Sequence, residues 1–520
     1  MVACSGSSNS PGPMPTPTPP PPSGSTGTDV VTYHNDVART GQNLTETVLT
    51  PSNVNSSNFG KVGFFSVDGK VDAEPLLLAG VDLGGKGTHD VLYVVTEHDS
   101  VFAMDAASGT VYWQVSLLGA GETTSDPRAC DQITPEIGIT ATPVIDRAHN
   151  VMYVVAMSKD DSGIYWQRLH ALNITNGAEM LGGPVAITAT YPGNGEEGSG
   201  GTLHFMPGQH AERTGLLLLN GIVYTMWTSH CDIQPYTGWV IAYDAATLAQ
   251  TSVLNVTPNG SAGEGSMWMS GAAPAADAAG NIYFLDANGR FDPGQQDFGN
   301  AFIKLSTANG LEVSDYFATF DTVHQSDVDG DLGSGGALVL PDLKDGSGTV
   351  RHLAVGAGKD KKIYVVDRDN MGKFNSSTNN IYQEIQGVLA NGEFGMPAYF
   401  NNTVYYGAVA DALKAFPITA AKLASTPASK SGQSFGYPGT TPSVSANGTS
   451  NGIVWAAENG STAVLHAYDP ADLSHELYNS NQAGSRDQFG AGNKFVTPMI
   501  ANGRVYVGTT NGVAVFGKLQ

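Results

Sequence analysis

The run Asp327-Val328-Asp329-Gly330-Asp331-Leu332-Gly333 sets three carboxylates on alternate positions of a loop that glycine can bend sharply. Hard oxygen ligands at that spacing can converge on one Ca2+, which makes Asp327, Asp329 and Asp331 candidate metal ligands. The closing Glu of a helix–loop–helix calcium loop is missing, so the alternative is an acidic turn whose Asp side chains cap backbone amides. Three cysteines stand at Cys4, Cys130 and Cys231. Hydrolytic chemistry has less to build on, since neither a His-Glu-x-x-His helix nor a Ser on a strand-to-helix elbow is read.

Short strands, rather than helices, must position these groups. Of 520 residues 64 are Gly and 28 Pro, while only 14% are charged, so turns interrupt the chain often. A unit recurs: a small-Pro-apolar strand, a turn such as Asn-Gly, an aromatic-rich strand, and a strand ending in Tyr-Asp or a relative. Copies begin near Pro75, Pro143, Gly215, Pro274, Gly336, Pro397, Pro442 and Pro498. Alternating apolar and polar residues mark the strands and Asn-Gly the tight hairpins. The last unit has three strands, and an unpaired apolar strand, KVGFFSV at 61–67, precedes the first. The expected fold is therefore all-β: a single eight-bladed β-propeller of four-stranded antiparallel blades over residues 29–520, its ring closed by the N-terminal strand. A β-sandwich does not generate this period.

Lys and Arg total 25 against 48 Asp and Glu, a formal charge of −23 that repels polyanions and excludes nucleic acid as a partner. Residues 1–28 comprise Met1-Val2-Ala3-Cys4 and a Ser/Gly/Pro/Thr-rich tract, a solvated linker by composition. Val-Ala-Cys resembles the end of a bacterial lipobox, although the basic and apolar regions that precede one are missing. The expectation is an exported, monomeric protein of the periplasm or cell surface, lipid-anchored through Cys4.

In an up-and-down blade the segment leading into the first strand and the second hairpin lie at the same end of the channel, so function should concentrate there. The lead-in segments carry Asp72, Glu74, Glu136, His210, Arg213, Trp268, Asp329, Asp331, Glu393, Tyr437 and Lys494; the hairpins carry Glu97, His98, Asp99, Lys159, His230, Asp232, Asn288, Lys359, Glu458 and Asn459. Most such side chains simply face water; a minority should line a pocket. Arg213 and Glu136 are candidates to hold a cofactor. Trp268 and Lys359 belong to adjacent blades and should share one pocket. Cys130 and Cys231 fall on the same face of adjacent blades, which in an exported protein favours a disulfide over two buried thiols.

The segment Ala103-Met104-Asp105-Ala106-Ala107-Ser108-Gly109-Thr110-Val111-Tyr112-Trp113, with degraded copies at Ala242-Tyr243-Asp244, Val366-Asp367-Arg368 and Ala467-Tyr468-Asp469, resembles the signature repeat of the quinoprotein alcohol dehydrogenase-like superfamily. That resemblance implies pyrroloquinoline quinone in the propeller mouth over a Trp floor, with Ca2+ and a catalytic Asp. Trp268 matches the floor, Asn288 the metal-binding Asn, and Lys359 the basic residue at the reduced quinone oxygen. Asp297 is the carboxylate nearest the expected base, with Asn300 competing for that position. The chain departs from the family pattern in lacking an adjacent Cys pair and in keeping only one intact repeat. The resemblance thus implies a quinone- and Ca-dependent dehydrogenase acting on a small alcohol or sugar. Its rival is a non-catalytic propeller lipoprotein that binds envelope proteins or ligands as a scaffold.

Overall fold

The computed structural model describes residues 27–260 and 264–520. Cys4 and nearly all of the Ser/Gly/Pro/Thr-rich tract lie outside the described residues. Helix is confined, among those residues, to Thr322–Asp327 and a few single 3-10 turns, and no helix is long and apolar enough to cross a membrane. The rest is strand and turn. At each repeat start read in the sequence a first strand follows at once: Leu76–Asp82 after Pro75, Ala275–Ala276 after Pro274, Ser443–Asn447 after Pro442, Met499–Ala501 after Pro498.

Each first strand opens an antiparallel meander. Leu76–Asp82, Thr88–Val95, Ser100–Asp105 and Val111–Ser116 pair in sequence order. Asn220 (φ +52°) and Gly221 (φ +77°) both take left-handed backbone, the type I′ turn whose twist suits the hairpin of Leu217–Leu219 and Ile222–Met226. The last meander, Met499–Ala501, Arg504–Gly508 and Gly512–Lys518, takes its fourth strand from near the other end of the chain. Phe59–Ser66 pairs antiparallel with Gly512–Lys518, Phe59 opposite Lys518 and Ser66 opposite Gly512.

Neighbouring sheets pack face to face through large aromatic side chains, with Trp227, Trp239 and Trp455 fully buried. The Trp of the one intact repeat links two sheets: Trp113 Nε1 donates to Ile174 O at 3.1 Å, and Tyr93 Oη to the same carbonyl at 3.0 Å. A Cβ on Gly177 (φ +72°) would meet the Trp113 ring at 2.7 Å, so this turn admits only glycine.

Residues 28–49 have a part the sequence did not announce. They run as a strap across the first strands of successive sheets: Val30 exchanges hydrogen bonds with Leu77, and Ile145, Ala276, Val339, Tyr399 and Val444 donate in turn to the carbonyls of Val31, Val37, Ala38, Thr40 and Gly41. Gln42–Asn43 then pairs parallel with Ser443–Asn447, and Glu46 accepts from Gly503 N at 2.9 Å. Arg39, fully buried, pins the strap by donating to Pro274 O (2.9 Å), Thr32 Oγ1 (2.8 Å), Tyr33 O (2.8 Å) and Asp36 O (3.2 Å). Burial pushes its pKa down to about 10. The backbone N of His34 donates to Glu74 at 2.8 Å. The strap also touches residues just ahead of the first strands: Arg39 holds Pro274 O before Ala275–Ala276, and His34 holds Glu74 before Leu76–Asp82.

Candidate functional site

Where lead-in segments meet second hairpins, a cavity of about 410 Å3 opens. Its wall includes Trp268, Lys359, Arg213, Asn288, Asp329 and Asp331, together with Cys130 and Cys231. Trp268 precedes the 3-10 turn Met269–Gly271, in which Met269 (φ +37°) and Ser270 (φ +52°) both hold left-handed backbone. Such a conformation persists only when the surroundings fix it. Here Ser270 Oγ donates to Ser334 O at 2.6 Å, and Thr214 Oγ1 to Met267 O at 2.5 Å, tying the turn to neighbouring sheets on both sides.

The charged centre lies beside that Trp. The Lys359 ammonium is 2.7 Å from Asp331 Oδ1, hydrogen-bonds Asp329, and stands 5.7 Å from the Trp268 ring centre. Burial opposes its charge, but Asp331 and Asp329 outweigh burial and hold the pKa above the ordinary lysine value. The Asp331 side chain is 1% exposed. Burial pushes its carboxyl up, while Lys359 and the Trp268 side chain pull it back only in part. Asn288 donates from Nδ2 to Asp329 at 2.8 Å, and its Oδ1 is buried without a partner. Asp286, also buried with both oxygens unpartnered, is pushed well above the carboxylate range by burial, with Asp331 adding to the shift.

Three candidates lie elsewhere. Glu136 is not on the cavity wall; it accepts from Thr124 Oγ1 at 2.6 Å and pairs with His98 at 3.0 Å. Asp297 is buried against Arg290 at 3.2 Å and accepts from Asn259 N at 2.8 Å, also off the wall. The competing Asn300 accepts from Leu332 N at 2.9 Å and so steadies the segment that carries Asp331. Asp327 is exposed at the end of the helix Thr322–Asp327. Asp329 (φ +58°) and Asp331 both reach the Lys359 ammonium, and only Asp327 is turned away from them. Among the described residues no group of three or more His, Cys, Asp or Glu side chains is placed to hold a metal, so the converging-Asp expectation gives way to two donors, Asn288 Oδ1 and Asp331.

Cys130 and Cys231 are joined as a disulfide spanning 101 residues, with Cα atoms 5.6 Å apart. The remaining wall is aromatic. Trp268 meets Phe394 and Phe495 edge-on at 5.9 and 6.2 Å, and Tyr437 meets the same two rings at 5.5 and 6.2 Å. Phe394 and Phe495 were not singled out in the sequence, although each occupies the lead-in position that drew attention to Trp268. Two Gly-x-Ser-x-Gly strings occur, Gly432 to Gly436 and Gly448 to Gly452. They run through the strand Ser429–Phe435 and into the strand Ser450–Asn459, so neither forms a nucleophile elbow.

An aromatic face with a fixed ammonium above it and a buried carboxylate beside it suits a planar, anionic ring. The orphaned Asn288 Oδ1 and the buried Asp331 carboxylate, which also holds Lys359, suit a hard divalent cation. No protein-family model matches the chain, and no curated protein sequence matches it. Solved structures do match. A quinohemoprotein alcohol dehydrogenase from Comamonas testosteroni aligns with 94% of this chain and 80% of its own at a TM-score of 0.63 and 14% identity. A second, from Pseudomonas putida HK5, aligns over the same shares at 0.59 and 13%. A europium-containing methanol dehydrogenase aligns with 95% of this chain and 98% of its own at 0.57 and 12%. Identities this low bear on architecture alone, and by architecture the chain has the β-propeller fold of the quinoprotein alcohol dehydrogenases.

Proposed function

We propose that the protein is an exported quinoprotein-like dehydrogenase: an eight-bladed propeller, its ring closed by Phe59–Ser66, that oxidises an alcohol or sugar hydroxyl with pyrroloquinoline quinone and Ca2+. The observation that carries this reading is the Lys359 ammonium 5.7 Å over Trp268 and 2.7 Å from the buried Asp331 in one cavity. Trp268 offers the stacking face and Lys359 the positive charge for the cofactor, while Asn288 Oδ1 and Asp331 are the donors for the metal. Bound quinone supplies the two-electron sink that amino-acid side chains lack. Asp331 takes the hydroxyl proton: burial raises its basicity, and Lys359 keeps it ionised until the proton arrives. The disulfide supports an oxidising compartment, and the alcohol dehydrogenases among the fold neighbours support the reaction class.

The test is reconstitution with quinone and Ca2+, followed by dye reduction over a panel of alcohols and sugars. Lys359→Ala and Trp268→Ala should each abolish dye reduction while keeping the wild-type far-ultraviolet circular dichroism, although Lys359→Ala, which leaves the buried Asp331 without its ion pair, should lower the thermal transition. If wild-type protein neither retains quinone nor reduces dye, the dehydrogenase reading fails and a non-catalytic envelope scaffold takes its place.

A further inference from the structure

The cavity carries a second cationic centre that the Trp268–Lys359–Asp331 group does not use. Arg213 is 8% exposed and lines the cavity, with its guanidinium carbon 5.0 Å from the Phe495 ring centre. It makes no hydrogen bond or ion pair among the described residues. The arginines at positions 147, 168, 290, 351, 368 and 486, by contrast, each pair with a carboxylate.

Lys494 precedes Phe495 in the chain, and its ammonium lies 5.9 Å from the ring centre of Tyr437, itself 6.2 Å from the Phe495 ring, and donates only to Gln132 Oε1 at 3.3 Å; Tyr437, Phe495 and Gln132 all line the cavity. Burial lowers the Lys494 pKa first, and repulsion from Lys70 and Arg213 adds to it, while Asp131 and Asp72 attract it from beyond ion-pair distance. Asp72 also attracts Arg213 from beyond ion-pair distance, but its own direct partners are Lys70 at 3.2 Å and Asn493 at 2.8 Å. Two cations without a carboxylate ion pair among the described residues thus lie over the adjacent rings Phe495 and Tyr437 in a chain of formal charge −23. Desolvating them is costly unless an anion arrives to pair with both, and a guanidinium fork matches a planar oxyanion.

We propose that Arg213, on the cavity wall, and Lys494, behind the wall residues Tyr437 and Gln132, form an oxyanion subsite at this edge of the cavity, and that the alcohol oxidised there carries a carboxylate or phosphate on the carbon chain bearing the hydroxyl. The proposal rests on the dehydrogenase reading for the oxidation but not for the binding. The oxidation removes two electrons and two protons from the hydroxyl-bearing carbon and its oxygen, with the quinone as oxidant and Asp331 taking the hydroxyl proton. The oxyanion is untouched and serves to orient the chain.

Calorimetric titration of the quinone-free protein separates the two readings, using glycerate, glycerol phosphate and neutral glycerol as probes. At least one of the two acids should bind, glycerol should bind at least about tenfold more weakly, and Arg213→Gln and Lys494→Gln should each weaken the acid about tenfold. The acid that binds more tightly tells carboxylate from phosphate. In the reconstituted protein Lys494→Gln should raise KM for the acid while leaving quinone retention and turnover of neutral alcohols unchanged. Equal affinity for the acids and glycerol overturns the subsite, as does loss of quinone from the Lys494 variant in place of loss of acid affinity. Acid binding without any dye reduction overturns the dehydrogenase reading and leaves the subsite standing.

Discussion

Replacing Arg39 with Met tests whether the strap of residues 28–49 stabilises the fold or only decorates it. The substitution keeps most of the buried volume and removes the guanidinium. Two contributions oppose each other. The fall of the Arg39 pKa from 12.5 to about 10 corresponds to about 3 kcal/mol of charge burial, at roughly 1.4 kcal/mol per pH unit, which the variant no longer bears. Against this, the carbonyls of Pro274 and Tyr33 and the hydroxyl oxygen of Thr32 lose their donor, whereas Asp36 O keeps the backbone N of residue 39. Buried acceptors left unsatisfied cost about 1–3 kcal/mol each, so about 6 kcal/mol in the middle of the range. The net expectation is destabilisation by about 3 kcal/mol, read as a lower urea midpoint followed by tryptophan fluorescence. A variant as stable as the wild type would refute the reasoning, because the guanidinium would then be a net burden and the strap's bonds would contribute nothing measurable.

Glu74 and Glu393 are buried acids whose pKa is pushed from 4.5 up to about 8 by burial. A raised folded-state value means that their stabilising share is complete below pH 4.5 and lost as pH rises through about 8, at up to roughly 1.4 kcal/mol per pH unit for each group. Glu74→Gln should flatten that slope in a pH series of urea midpoints, and an unchanged slope would contradict it. Reducing the Cys130–Cys231 bridge, or replacing both residues by Ser, should cost about 5 kcal/mol in the chain-entropy view of a loop of this length. Two alkylatable thiols in native, unreduced protein would defeat the assignment. Asp331→Asn should lower kcat about a hundredfold or more, whereas Asp297→Asn, whose carboxylate is paired with Arg290 off the cavity wall, should change kcat by less than about twofold; the reverse ranking would restore Asp297 as the base.

The repeat was legible because strand periodicity and Asn-Gly turns are local signals. Leu217–Leu219, Asn220-Gly221 and Ile222–Met226 form the hairpin that their residue types dictate. Trp268 and Lys359 were likewise brought together by topology, since one leads into a first strand and the other sits on a neighbouring hairpin. Side-chain direction was not legible. Asp297 and Asp331 look alike in sequence, and the difference lies in Arg290 capturing one and Lys359 the other. The alternate spacing of Asp327, Asp329 and Asp331 suggested convergence, but a short helix ends at Asp327 and sends that side chain outward. The strap could not be read because its bonds join residues hundreds of positions apart through backbone carbonyls, which leave no mark on residue type. Phe394 and Phe495 each look like an ordinary core residue until Trp268 and Tyr437 are seen to pack against them.

The most direct measurement mixes purified protein with pyrroloquinoline quinone and Ca2+, removes free ligand by gel filtration, and reads the retained quinone chromophore per chain. The account predicts one quinone retained per chain for the wild type and little for Trp268→Ala or Lys359→Ala, each variant keeping the wild-type far-ultraviolet circular dichroism. A wild type that elutes without chromophore, or a Trp268→Ala protein that retains it fully, would contradict the assignment of this cavity as a quinone site.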